Sequence, residues 1–83
     1  MYKIEVIPSA KKDLDRIAKR FFIQLKDKIL TLASDPRPHN CVKLTADEGY
    51  RIRSVDYRII YRIDDKNRIV YIYRVKHRKE VYR

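Results

Sequence analysis

EGYRIRSVDYRIIYRI, residues 48–63, is the stretch whose reading decides the fold of this chain. Apolar and charged residues alternate on both sides of Val55-Asp56, the pattern of two strands joined by a tight turn. A two-residue turn at Val55-Asp56 sets Ser54 opposite Tyr57, Arg53 opposite Arg58, Ile52 opposite Ile59 and Arg51 opposite Ile60. Strand side chains alternate with period two, so Ile52, Ile59, Tyr61 and Ile63 share one face, with Tyr57 on the same parity. Arg51, Arg53, Arg58 and Arg62 share the other, with Ile60 among them. Like charges facing each other across a sheet do not stabilise it. An arginine face of this kind is either a solvated surface or a surface for an anion. Its concentration, with Asp56 the one acidic residue among residues 50–63, favours phosphate.

Outward from the hairpin, residues 69–75 read as a third strand after a polar turn over 64–68. Tyr71 and Tyr73 share a parity with Ile69 and Val75 and are expected in the core. Residues 2–7 alternate as a half-buried strand with Tyr2, Ile4 and Val6 inward. Pro8 and Ser9 stop it, and Ser9 is the expected helix N-cap. From Ala10 to about Ser34 the apolar spacing is helical. Leu14, Ile17, Ala18, Phe21 and Leu25 form one stripe, and Phe22, Leu25, Ile29 and Leu32 a second. The stripes do not make one continuous face, which predicts two helices broken near residues 19–22. Asp35-Pro36-Arg37-Pro38 ends the helical region. Residues 35–49 are expected to form a loop anchored to the core by Val42 and Leu44. The predicted order is β-α-α-β-β-β. This is an α+β fold in one domain over residues 1–83, an antiparallel sheet with two helices packed on one face.

The charge is uneven along the chain. The 83 residues carry a formal net charge of +10. Residues 1–49 hold ten Lys/Arg against seven Asp/Glu, and residues 50–83 hold eleven against four. Such a field attracts RNA, DNA, an anionic membrane or an acidic protein. Arginine outnumbers lysine in the second part, which favours forked phosphate contacts. A lone cysteine, Cys41, excludes an intrachain disulfide and is expected to be a reduced thiol. One cysteine and two histidines argue against a four-ligand zinc site, and no metal or cofactor is expected. His39, in the proline loop, reads as solvent-facing. No apolar run resembles a signal peptide or a membrane span, so a cytoplasmic location is expected.

GYRIRSVDYRIIYRI, followed by a strand and then VKHRKEVYR, resembles the RelE/ParE superfamily of bacterial and archaeal toxins. The likeness covers the whole chain and rests on residues 50–62 and 75–83. It implies a ribosome-dependent mRNA endoribonuclease that cleaves the codon in the A site of the small (30S) subunit. The ribose 2′-hydroxyl attacks the adjacent phosphate and leaves a 2′,3′-cyclic phosphate, without a metal. It also implies a cognate RelB-like antitoxin that wraps the toxin and is acidic at least where it covers the arginine face. Carried over by position, Arg51 and Arg53 match basic residues of the first site strand, and Arg58 matches an arginine on the scissile phosphate. Arg78 matches a second phosphate-binding arginine. Tyr82 matches a tyrosine that stacks on a base or assists proton transfer, and His77 is a candidate acid or base. Members of the RelE type place lysines where this chain has Arg51 and Arg53. A guanidinium effectively never gives up its proton, so these two read as charge stabilisers and the general base is left open. The tail is also about two residues shorter than in some relatives. Two other readings stand beside the nuclease: a ParE-like inhibitor of DNA gyrase that cleaves nothing, and a non-catalytic RNA-binding protein. Fold alone does not choose among them.

Overall fold

The computed structural model describes residues 1–44 and 49–81, so Glu48 and Tyr82 lie outside the described residues. The elements run β1 (Lys3–Val6), α1 (Pro8–Asp15), α2 (Lys19–Thr31), β2 (Val42–Lys43), β3 (Tyr50–Ser54), β4 (Tyr57–Asp64), β5 (Ile69–His77) and α3 (Arg78–Val81). The strands lie in the order β1-β5-β4-β3-β2. The α+β class holds, but the sheet is mixed rather than wholly antiparallel. β1 runs parallel to β5, with Lys3 beside Ile69 and Val6 beside Ile72. The helical connection brings the first strand alongside the last, and a parallel neighbour requires such a crossover.

The central hairpin has the expected register: Ser54 faces Tyr57, Arg53 faces Arg58, Ile52 faces Ile59 and Arg51 faces Ile60. Val55 at its tip has φ 58°. This is the left-handed region, which a two-residue turn demands and a β-branched residue resists. The core gathers Ile52, Ile59, Tyr61, Val70, Ile72 and Val75 from the sheet against Ala10, Leu25, Ile29 and Leu32 from the helical layer. Tyr57 and Ile63 pack on its rim. Burying a side chain such as Ile59 contributes about 1.5–3 kcal/mol.

Tyr71 and Tyr73 are not core residues; both are half-buried. Ile60 pairs with Arg74 while Tyr61 pairs with Ile72, so Tyr73 is an extra residue, a β-bulge. The bulge inverts the parity of β5, and the inward set becomes Val70, Ile72 and Val75. Arg62 then lies with its guanidinium 5.0 Å from the Tyr73 ring centroid.

Helix α1 begins one residue before Ser9. Ile7 holds the N-cap position and Pro8 the first turn, where a missing N–H costs nothing. Ser9 is not the cap; its Oγ donates to the Tyr73 carbonyl at 2.9 Å. Asp13 accepts from the Val75 amide at 2.9 Å and from Arg74 Nε at 2.8 Å. Together these bonds cover the edge of β5 beyond the end of β1, where backbone groups would otherwise be exposed. Burial works against the Asp13 charge, yet the hydrogen bonds from Arg74 and Val75 hold its carboxyl below the usual range. The break between helices falls at residues 16–18, a little before the expected one. Val6 and Val42 are exposed rather than inward. Val42 belongs to β2, a two-residue edge strand paired with β3 inside the expected loop. Leu44 is half-buried and its amide donates to the Gly49 carbonyl at 2.9 Å. Close approach favours glycine at 49: a Cβ there would sit a tight 3.2 Å from the Tyr61 carbonyl oxygen.

Candidate nucleic-acid interface

The hairpin pairing puts Arg53 and Arg58 side by side, and β5 continues the row by setting Lys76 beside Arg58. Three cations on adjacent strands thus face one way at the end of the sheet near the Val55-Asp56 turn. Arg58 is buried, with 4% of its surface exposed, while Arg53 stands in solvent. A guanidinium is rarely buried unless something fixes it, so Arg58 is a preset charge rather than a searching one.

α3 closes the same end. The Arg78 amide donates to the Asp56 carbonyl at 2.8 Å, which ties the tail to the hairpin tip. The result is an open cleft of about 440 Å³ lined by Arg53, Val55, Asp56, Tyr57, Arg58, Arg78 and Lys79. Arg53 also forms a wall of a neighbouring hollow of about 270 Å³, shared with Asn40, Val42 and Arg51. The two hollows meet at Arg53 and make a basic track along the outer face.

Of the expected site residues, the structure brings Arg53, Arg58 and Arg78 to one cleft and Arg51 to its neighbour. His77 is not among the residues lining this cleft. It pairs with Tyr57 across the strands, the two rings meeting edge to face at 5.3 Å. With Asp13, Arg16, Ile17 and Val75 they line a separate hollow of about 120 Å³. Tyr82 lies outside the described residues. Lys76 and Lys79 were missed. Lys76 was legible in principle, since carrying the alternation of β4 into β5 places it beside Arg58, but only once the bulge is known. Lys79 carries no signal in the strand pattern because it lies beyond it.

Chemically, the cleft offers three forked guanidiniums and a lysine around a space that suits a phosphodiester, with Asp56 the acidic residue among the described lining residues. Among the described residues no group of His, Cys, Asp and Glu could hold a metal ion. No helix among them is long and apolar enough to cross a membrane.

Comparisons with known proteins agree with this architecture. The chain matches the family model described as the ParE toxin of the type II toxin–antitoxin system, parDE, over residues 4–82. Among solved structures it is similar to the toxin–antitoxin complex RelBE2 from Mycobacterium tuberculosis, at 26% identity and TM-score 0.83, covering 92% of this chain and 96% of that one. The isolated E. coli RelE toxin is similar at 26% identity and TM-score 0.81, covering 99% and 92%. The archaeal RelE–RelB complex from Pyrococcus horikoshii is similar at 25% identity and TM-score 0.79, covering 93% and 94%. No curated protein is significantly similar in sequence. With a family model matched over nearly its whole length and a fold shared with these toxins, the chain belongs to the ParE toxin family of type II toxin–antitoxin systems, within the RelE/ParE superfamily.

Proposed function

We propose that this toxin is an endoribonuclease that cuts mRNA in the ribosomal A site, the 2′-hydroxyl attacking the adjacent phosphate. The observation that carries the reading is the convergence of Arg53, Arg58 and Arg78 on one cleft. In-line attack builds negative charge on the phosphorane oxygens, and fixed cations aimed at that charge lower the barrier. Arg58, buried and fixed, holds the scissile phosphate. Arg53 and Arg78 bracket it, and Arg51 holds the neighbouring backbone. Proton transfer falls to the acid–base side chains lining the cleft, Asp56, Tyr57 and Lys79, together with Tyr82 of the tail. The partner that silences it is a cognate antitoxin of RelB type carrying acidic residues over this cleft. The relatives from M. tuberculosis and P. horikoshii were each solved in complex with an antitoxin, which supports that partner.

The family model matched is described as ParE, and this favours a second reading, a gyrase-directed toxin that binds protein and cleaves nothing. The two separate in one experiment. Purified protein is added to ribosomes programmed with a defined mRNA, and the RNA ends are mapped by primer extension. A new boundary inside the A-site codon, weakened about a hundredfold or more by Arg58→Ala, is the expected result. Intact mRNA, where a RelE-type toxin cuts under the same conditions, would sink the nuclease. Inhibition of gyrase supercoiling in a parallel assay would then establish the second reading.

A further inference from the structure

The tail helix α3 has only four residues, Arg78–Val81, too few to hold itself together. It nevertheless carries Arg78 and Lys79, two of the cations of the cleft. Two hydrogen bonds at its start fix it. One is the Arg78 amide on the Asp56 carbonyl at 2.8 Å. The other is the Lys79 amide donating to Nδ1 of His77 at 3.2 Å. An N-cap residue characteristically accepts from the amide two positions on, and His77 stands in that position. A backbone amide can only donate, so the Nδ1 that receives it carries no proton.

We infer that His77 is a positioning residue, whose unprotonated Nδ1 caps α3 and holds Arg78 and Lys79 over the cleft. This deepens the proposed reading of the cleft and rests on it for the part that concerns RNA. The ring is itself braced, edge to face, by Tyr57, which lines both the cleft and the hollow in which His77 sits. The charged groups that face His77 in that hollow are Asp13 of α1 and Arg16 at its C-terminal end. The Asp13 carboxylate is already committed to Arg74 and the Val75 amide, which leaves the cap to the imidazole. Protonation puts a hydrogen on Nδ1, which can no longer accept. The sign follows: the cap is present while Nδ1 is bare and is lost when acid puts a proton there. This runs against the ordinary trend, because a basic protein that gains protons binds RNA more tightly.

The test uses the full chain and a short 2′-O-methyl oligoribonucleotide, which offers phosphates but no attacking hydroxyl. Affinity is measured between about pH 5 and pH 8 for wild type, His77→Ala, His77→Asn and Arg78→Ala. The Asn amide oxygen stands where Nδ1 stood and cannot be protonated in this range. At neutral pH, His77→Ala is expected to weaken binding about tenfold, as Arg78→Ala does, at roughly the discrimination of one lost phosphate contact. His77→Asn should restore most of it. Wild type should lose affinity in acid, and His77→Asn should not. Exchange of the Lys79 amide, read by NMR without RNA, reports the cap on its own. Protection lost in His77→Ala and in acid, but kept in His77→Asn, is the expected result even if no variant binds the oligonucleotide. That combination would retain the cap and discard the RNA reading. Equal Lys79 protection in wild type and His77→Ala, or a His77→Asn variant no better than Ala, would overturn the inference.

Discussion

The two ends of the sheet treat arginine in opposite ways. At one end Arg37 is matched: it forks onto Asp65 at 2.7 and 3.1 Å and donates to the Tyr50 hydroxyl at 3.1 Å, while Tyr2 donates to the same carboxylate at 2.6 Å. Tyr61 stacks on Tyr50 at 5.8 Å and donates to the Pro36 carbonyl at 2.8 Å. Burial, with the Cys41 thiol beside it, pushes the Tyr61 hydroxyl well above the usual phenol range. Each polar group in this latch has been given a partner by the chain itself, and its work is to hold the proline loop on the sheet. At the other end Arg53, Arg58, Arg78 and Lys79 crowd round a cleft in which Asp56 is the one acidic residue among the described lining residues. Like charges set side by side do not stabilise a sheet. Charge matched within the chain belongs to architecture, whereas cations gathered round an open cleft suit an anion from outside.

The largest break in this comparison should come from exchanging one arginine at each end. Arg58→Ala should remove RNA cleavage by about a hundredfold or more, whereas Arg37→Ala should leave it within about threefold and lower the melting temperature, an outcome typical of lost exposed ion pairs. Equal loss of cleavage in both would mean that the two ends are not functionally distinct. Truncating the core between them comes next. Ile59→Ala, at a residue with none of its surface exposed, should cost about 2–5 kcal/mol in denaturant unfolding. A smaller effect would show that the hairpin carries less of the core than its position implies.

The latch should also reveal itself in acid. Hydrogen bonds from Arg37 and Tyr2 lower the Asp65 carboxyl to about 2. A carboxyl depressed on folding stabilises above its unfolded value of about 4, and that contribution is lost as the pH falls towards 2. Wild type should therefore melt above Asp65→Asn at neutral pH, with the two curves converging as the pH falls from about 4 to about 2. A constant difference would assign the effect to packing. The smallest expected change is at the hairpin tip. Val55 holds φ 58°, so Val55→Gly should stabilise by about 1 kcal/mol, read by the shift in denaturant midpoint. A destabilised variant would show that the Val55 side chain, which lines the cleft, also packs there.

The hairpin and its arginine face were legible because both follow from local rules: alternation, a two-residue turn, and a register that the turn fixes. Residues far apart in sequence were less so. Nothing in residues 3–6 says that they will lie parallel to β5, because the partner is chosen by the path of the helices. Ser9 had the right chemistry for a cap, but Pro8 started the helix first and freed its hydroxyl for Tyr73. Tyr71 and Tyr73 were misplaced because alternation cannot see an inserted residue. His77 reads from the resemblance as a candidate acid or base, and its contact with the Lys79 amide is not visible in the sequence. A histidine in a basic tail looks the same whether its ring faces a phosphate or an amide of its own backbone.

The bulge at Tyr73 has a consequence for how such a chain can change. Before it, β5 answers to β1 and the core; after it, β5 answers to the cleft and the tail. One added residue separates the two phases, so the outer segment can trade residues around Lys76 and His77 without disturbing which side of Val70 and Ile72 meets the helices. Ironing the bulge out would slide Arg74 opposite Ile59, into the core, and move Lys76 off Arg58. The strand is in effect two modules in series. The chemistry of the tail can then change while the scaffold stays put.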